Sequence, residues 1–253
     1  MNKKNEDNSN KQNEKRAVIS SSGDLKEFEE HVSASGSTKI SGGKVNKSLR
    51  ISGSGIINGD LECNGLTSSG VIKGTGNITV HGDISSSGSF NIAGFLTGEE
   101  DADFSGSAEI GNVINIQGSL IASGSFKAGH FVRGEQGIKL SGSSEINGNL
   151  SSEKNITIDG STYIEGNVVA EDVLFGVSRE KIKKQHYKIH GSILAKNNVD
   201  IIKTHVEGDI KGKVVTIGQG SEILGTVYYV DSIEIDKKAK LTNESIQIKL
   251  DEL

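Results

Sequence analysis

The stretch Leu66-Thr67-Ser68-Ser69-Gly70-Val71-Ile72-Lys73-Gly74-Thr75-Gly76-Asn77-Ile78-Thr79-Val80-His81-Gly82-Asp83-Ile84 puts an apolar residue at every sixth position and a glycine four residues after each. The same phase continues through Phe90, Leu96, Ala102, Ala108, Ile114, Leu120, Phe126, Val132, Ile138, Ser144, Leu150, Ile156, Thr162, Val168 and Leu174, and only Ser144 and Thr162 in it are not apolar. A second stripe runs two residues later, through Val80, Ile92, Phe104, Ile110, Ile116, Leu140, Ile146, Ile158 and Ile164. A third, four residues after the first, is mostly glycine, with Asn112 in the same phase. Residues two apart share one face of a strand, because strand side chains alternate. Glycine supplies the bend between strands, and Asn is the next residue to tolerate positive φ. A period of six cannot hold one face of a helix at 3.6 residues per turn. Short strand, bend, short strand is a β-solenoid. With three hexads per coil, a coil holds about 18 residues and coils stack roughly 4.8 Å apart.

Composition agrees. Among the 253 residues glycine is abundant at 33, proline and tryptophan are absent, and aromatics make up 4%. That leaves few large side chains for a globular core but suits a narrow, regular interior. Proline is excluded where interior strands must donate to both neighbours. The net charge of -5, with both signs interspersed, argues against nucleic acid as a partner. The single cysteine, Cys63, falls at an inward position and suits a reducing compartment. The N-terminus is polar with no secretory h-region, and no apolar run approaches the ~20 residues of a membrane span. The expected location is therefore cytoplasmic, with any membrane association made through partners.

Along the chain, residues 1–16 read as a disordered polar tail and 17–44 as a lead-in. Residues 45–175 form the main β-helix. Its first hexads, Ile51, Ile57 and Cys63, are offset from the Leu66 series. Residues 176–188 read as a basic loop or short helix, in which Arg179, Lys181, Lys183, Lys184 and Lys188 could meet an acidic partner or a membrane surface. Residues 189–248 carry further rungs, either the same solenoid continuing or a second short stack packed on it. Residues 249–253 (Lys249-Leu250-Asp251-Glu252-Leu253) are a tail that matches an ER-retention signal only in its last three residues.

The rungs beginning Leu49-Arg50-Ile51-Ser52-Gly53-Ser54-Gly55-Ile56-Ile57-Asn58-Gly59-Asp60-Leu61-Glu62-Cys63, and the later Val206-Glu207-Gly208-Asp209-Ile210-Lys211-Gly212-Lys213-Val214-Val215-Thr216-Ile217-Gly218, resemble the bactofilins, polymer-forming bacterial cytoskeletal proteins. The resemblance covers roughly 45–245 and is nearest to the longer bacillus-type form. It implies an all-β, right-handed three-sided parallel β-helix that polymerises end to end without nucleotide, with itself or a paralogue. It further implies service to cell shape, envelope assembly or motility alongside proteins of those systems, and no enzymatic activity or cofactor. Family members often carry proline-rich tails, which this chain lacks. Some carry an apolar membrane-targeting peptide, which Met1-Asn2-Lys3-Lys4-Asn5 does not resemble, so direct membrane binding is not expected.

Open solenoid ends are sticky, because their edges carry unpaired N–H and C=O groups. The candidate polymer interface is Leu49, Ile51, Ile57 and Phe90 towards one end, and Ile233, Ile235 and Leu241 at the other. The rival enzyme reading is a hexapeptide-type acyltransferase, a left-handed β-helix with the same period. Its glycine directly follows the apolar residue, as here only in scattered pairs such as Ile110-Gly111, and its catalytic histidine would have to be His81, His130 or His205. A surface adhesin or polysaccharide-binding solenoid would require export. Glu99-Glu100-Asp101-Ala102-Asp103 reads as a solvated bulge in the repeat rather than a calcium or glycosidase site. No phosphate loop, dinucleotide fingerprint or zinc spacing occurs.

Overall fold

The computed structural model describes residues 15–176 and 186–253. They form a parallel β-solenoid of about 10 coils. Each coil contributes one short strand to each of three stacks. Above the long strand His31–Ser68, which supplies the first rungs of all three, the first stack runs Val71–Gly74, Ser89–Ile92, Ser107–Ile110; the second Ile78–Val80, Leu96–Gly98, Ile114–Ile116; the third Ile84–Ser86, Ala102–Phe104, Leu120–Ala122. Partners lie 18 residues apart, as in Phe90↔Ala108 and Leu96↔Ile114. The alternation buries the two apolar stripes and exposes the residues between them.

The offset of the earliest hexads has a local cause. Leu61 and Cys63 pair with Ile78 and Val80, 17 residues on, whereas Leu66 pairs with Ile84, 18 on. One residue is missing at the Asn64–Gly65 corner relative to the His81–Asp83 corner above it. The register at Glu99–Asp103 does not slip: Ala102–Phe104 pairs in step with Ile84–Ser86 below and Leu120–Ala122 above. That segment is an ordinary strand and corner, not a bulge.

The core keeps its volume nearly constant by pairing large with small across a corner. Within successive coils the inward pairs are Ser86 with Phe90, Phe104 with Ala108, Ala122 with Phe126, Leu140 with Ser144, and Ile158 with Thr162, all buried. Phe90 and Phe104 meet at 5.4 Å between ring centroids, and Phe104 and Phe126 at 6.3 Å. Ser144 and Thr162, the two polar members of the main stripe, therefore stand where the neighbouring inward position is already filled.

The C-terminal rungs continue the same solenoid. Thr162 pairs with Tyr187, Val168 with Ile193 and Val173 with Val199, so the rungs on the two sides of the basic segment are consecutive coils of one stack. The C-terminal rungs start earlier than residue 189, where the sequence suggests: Tyr187–Ile189 is already strand, and Tyr187 is buried against Phe175. Arg179, Lys181, Lys183 and Lys184 lie outside the described residues. Lys188 is in the strand, 3.6 Å from Glu207. Coils shorten to 17 already at Ile156↔Val173, so Leu174, expected inward, faces out opposite Thr157 while Val173 and Phe175 are buried; the step is again 17 at Ile189↔Val206↔Ile223, and Ile223↔Leu241 returns to 18. This change of step obscures the repeat after Leu174. Among the described residues no helix is long and apolar enough to cross a membrane.

Candidate functional site

The two ends of the rod differ. At the N-terminal end Ile19–Ser21 and Leu25–Glu27 run antiparallel to the first coil, pairing Ile19↔Ile40 and Leu25↔Ala34. Only residues 19–27 of the expected lead-in thus fold back, as two short strands on the outer edge of residues 32–40, which already belong to the long strand His31–Ser68 and to the core. Beneath this cover Leu49, Ile51 and Ile57 are buried at 3% exposure or less, and Phe90 is buried well inside the rod. Their side chains point into the core, and none of them is presented at an end.

The C-terminal end has no such cover among the described residues. Ser232–Ile235 rests on Val214–Ile217, Lys240–Leu241 on Glu222–Ile223, and Ile246–Gln247 on Tyr228–Tyr229. No described strand pairs with the far side of this last rung. Ile235 and Ile246 are exposed, while Ile233 and Leu241 are half-buried against the end of the core. An unpaired rung with apolar side chains is a template for another strand. Of the residues expected at the interface, Ile233, Ile235 and Leu241 therefore converge on one surface.

A short segment leaves this rung and runs back along the second stack. Leu250–Glu252 forms a single 3-10 turn, and the Lys211 ammonium donates to the Glu252 carbonyl at 3.3 Å. Leu250 and Leu253 share with Val169, Leu194, Lys196, Lys211 and Lys213 an open groove of about 450 Å³. By sequence Lys249–Leu253 reads only as a tail. The signal that could have found its seat is the outward column of the second stack. It reads Thr79, Thr97, Asn115, Arg133 and Ser151, then turns apolar at Val169 and Leu194.

Charged ladders run up the outside. His81 stands between two carboxylates from the coils on either side, Nε2 at 2.9 Å from Glu62 and Nδ1 at 2.8 Å from Glu99. Glu62 also meets Lys44 at 2.9 Å. Hydrogen bonding to Glu62, then to Glu99, raises the His81 pKa, and the Lys44 and His81 bonds lower that of Glu62. His205 lies 3.3 Å from Glu222 and 3.8 Å from Glu207, and His190 2.9 Å from Glu207, while His130 is exposed. Apart from the His205–Glu207 contact within one coil, these are ties between residues one coil apart. No group of three or more His, Cys, Asp or Glu among the described residues is arranged to hold a metal ion.

Comparison with protein-family models, with curated proteins and with solved structures finds no match to this chain.

Proposed function

We propose that this protein is a structural scaffold that self-associates through the C-terminal end of its β-solenoid. The observation that carries the reading is the asymmetry of the ends: an antiparallel strand covers one, while the other presents an unpaired rung with Ile235 and Ile246 exposed. Burial of those side chains and pairing of the free N–H and C=O groups would favour a second copy at that surface. The resemblance of Leu49–Cys63 and Val206–Gly218 to the bactofilin rungs supports the finer reading of a right-handed coil and a nucleotide-independent cytoplasmic polymer. On that reading the protein serves cell shape, envelope assembly or motility, with itself or a paralogue as first partner. The reading assigns no catalytic step and no cofactor.

A contact between two C-terminal ends is isologous and closes after two copies. A longer polymer needs a second contact, at the covered end or along a face. Negative-stain microscopy and light scattering of purified protein without nucleotide test the reading. Rods longer than one molecule, stable to moderate salt, are the expected result. Uniform single-copy particles at high concentration would sink it.

A further inference from the structure

We propose that the groove on the second stack is a receptor for the segment Lys249–Leu253, and that it accepts this segment from a second copy of the chain as well as from its own. The inference rests on the self-association reading and names one contact through which it operates.

The groove and the segment match in two independent ways. The first is apolar. The outward positions of the second stack are polar for five coils, from Thr79 to Ser151, and become Val169 and Leu194 only where the segment lies over them. An apolar pair facing outward on a solenoid side is costly unless something covers it. The second is charge. Lys196, Lys211 and Lys213 surround the apolar floor, and the segment carries Asp251 and Glu252 between Leu250 and Leu253. An acidic–apolar segment on a basic–apolar groove is a complementary pair.

The fit within one chain is incomplete. Leu250 remains 60% exposed and Val169 39% exposed, so the two apolar partners are only partly joined. The direct polar tie from groove to segment is Lys211 to the Glu252 backbone carbonyl, while the Glu252 carboxylate turns back to accept from the Lys249 N–H at 2.9 Å. The segment also starts beside the open rung: Ile246–Gln247 pairs with Tyr228–Tyr229, and Lys249 follows two residues later. Two copies meeting at their C-terminal ends would bring each segment alongside the other's groove. Exchanging an identical element between protomers adds intermolecular contact with little new structure.

Two full-length variants test this, Val169→Cys with one affinity tag and Leu250→Cys with another. Both positions are exposed, and the native Cys63 is buried and does not compete. The variants are mixed, oxidised with copper–phenanthroline and captured through one tag. The expected result is a disulfide-linked pair carrying both tags. It should be lost when Leu194→Asp is added to the Val169→Cys copy, and absent when Ser125→Cys, on the first stack, replaces Val169→Cys. Circular dichroism of each variant checks folding. If the doubly substituted single chain closes its own disulfide while mixtures never link, exchange is overturned. Assemblies that persist by light scattering without the cross-link overturn the exchange and leave self-association standing. A cross-linked pair that never grows beyond two copies supports the exchange and removes the polymer.

Discussion

The carbonyl oxygen of Gly70 points into the space that a Cβ on Gly88 would occupy. The relationship repeats up one corner of the rod, with Gly106 over Gly88, Gly124 over Gly106 and Gly142 over Gly124. None of these glycines has a positive φ. The corner turns without the left-handed region, and what forbids a side chain is the backbone one coil below. Gly88→Ala must therefore separate two coils or tilt a strand. The expected cost is roughly 1–3 kcal/mol, the usual range for overpacking. Ser125→Ala, exposed on the same stack, should stay within about 0.5 kcal/mol. Urea unfolding midpoints compare the two, and an unchanged Gly88→Ala would remove the close-approach explanation.

The large–small pairing predicts a compensating swap. Phe126→Ala leaves a cavity beside Ala122 and should cost about 3–5 kcal/mol. Ala122→Phe alone overfills the same coil. The double variant restores the volume, so its loss should be clearly less than the sum of the two. Strict additivity in the double-mutant cycle would show that the two positions do not share one space.

How much of this was legible from sequence varies by element. The coils from Leu66 to Val168 were, because one inward position per hexad keeps one chemistry and the phase holds; Leu174, the next in that series, faces outward, because Val173 and Phe175 take the inward places. The phase shift before Leu66 was visible as well, and it proves to be one residue missing at Asn64–Gly65. The antiparallel cover was not legible: Ile19–Ser21 and Leu25–Glu27 are three residues each and carry no repeat. Continuation past the basic segment was hidden because the step falls from 18 to 17 at Ile156↔Val173, ahead of that segment, and is still 17 at Ile189↔Val206 where the motif resumes. The role of the glycines was misread, since a six-residue spacing says where the corners are but not which atom crowds them. At the candidate site Ile233, Ile235 and Leu241 followed from the hexads. The groove could have been found only by following outward positions 18 residues apart.

His81 gives the N-terminal coils a pH dependence of definite sign. Its folded pKa is raised above the unfolded value of 6.5 by its bonds to Glu62 and Glu99. The tie is fully present below 6.5 and is lost as pH rises through the folded value. Glu62 acts oppositely, since its lowered pKa makes its contribution fade as pH falls through the carboxylate range. Stability of these coils should decline on going from about pH 6 to pH 8. His81→Gln should flatten that decline and leave the acid limb in place. The side chain is 38% exposed, so the effect is modest and salt-sensitive. An unchanged slope in the variant would remove His81 as its source.

The two ends respond differently to charge. Ile235 is 41% exposed on the open rung, whereas Ile51 is 3% exposed inside the core. Ile235→Lys should abolish self-association with little change in Tm. Ile51→Lys should lower stability by more than about 4 kcal/mol, because it buries an unpaired ammonium. Sedimentation velocity and thermal unfolding on the same samples separate the outcomes. Assembly that survives Ile235→Lys would exclude the open rung as the contact.

Cys63 offers a probe of how the rod opens. Burial pushes its thiol up to about 12, so neither access nor thiolate character favours reaction in the native state. Modification by a disulfide reagent must then wait for an opening that exposes it. In a solenoid each coil leans only on its neighbours, so end coils can open without the middle. Cys63 lies close to the covered end, beside the shortened corner. It should therefore react faster than a cysteine placed at Ala122 in a Cys63→Ser background, and the difference should shrink as urea approaches the unfolding midpoint. Equal rates in dilute buffer would mean that the coils open together, and that the antiparallel cover holds the N-terminal end as firmly as stacking holds the centre.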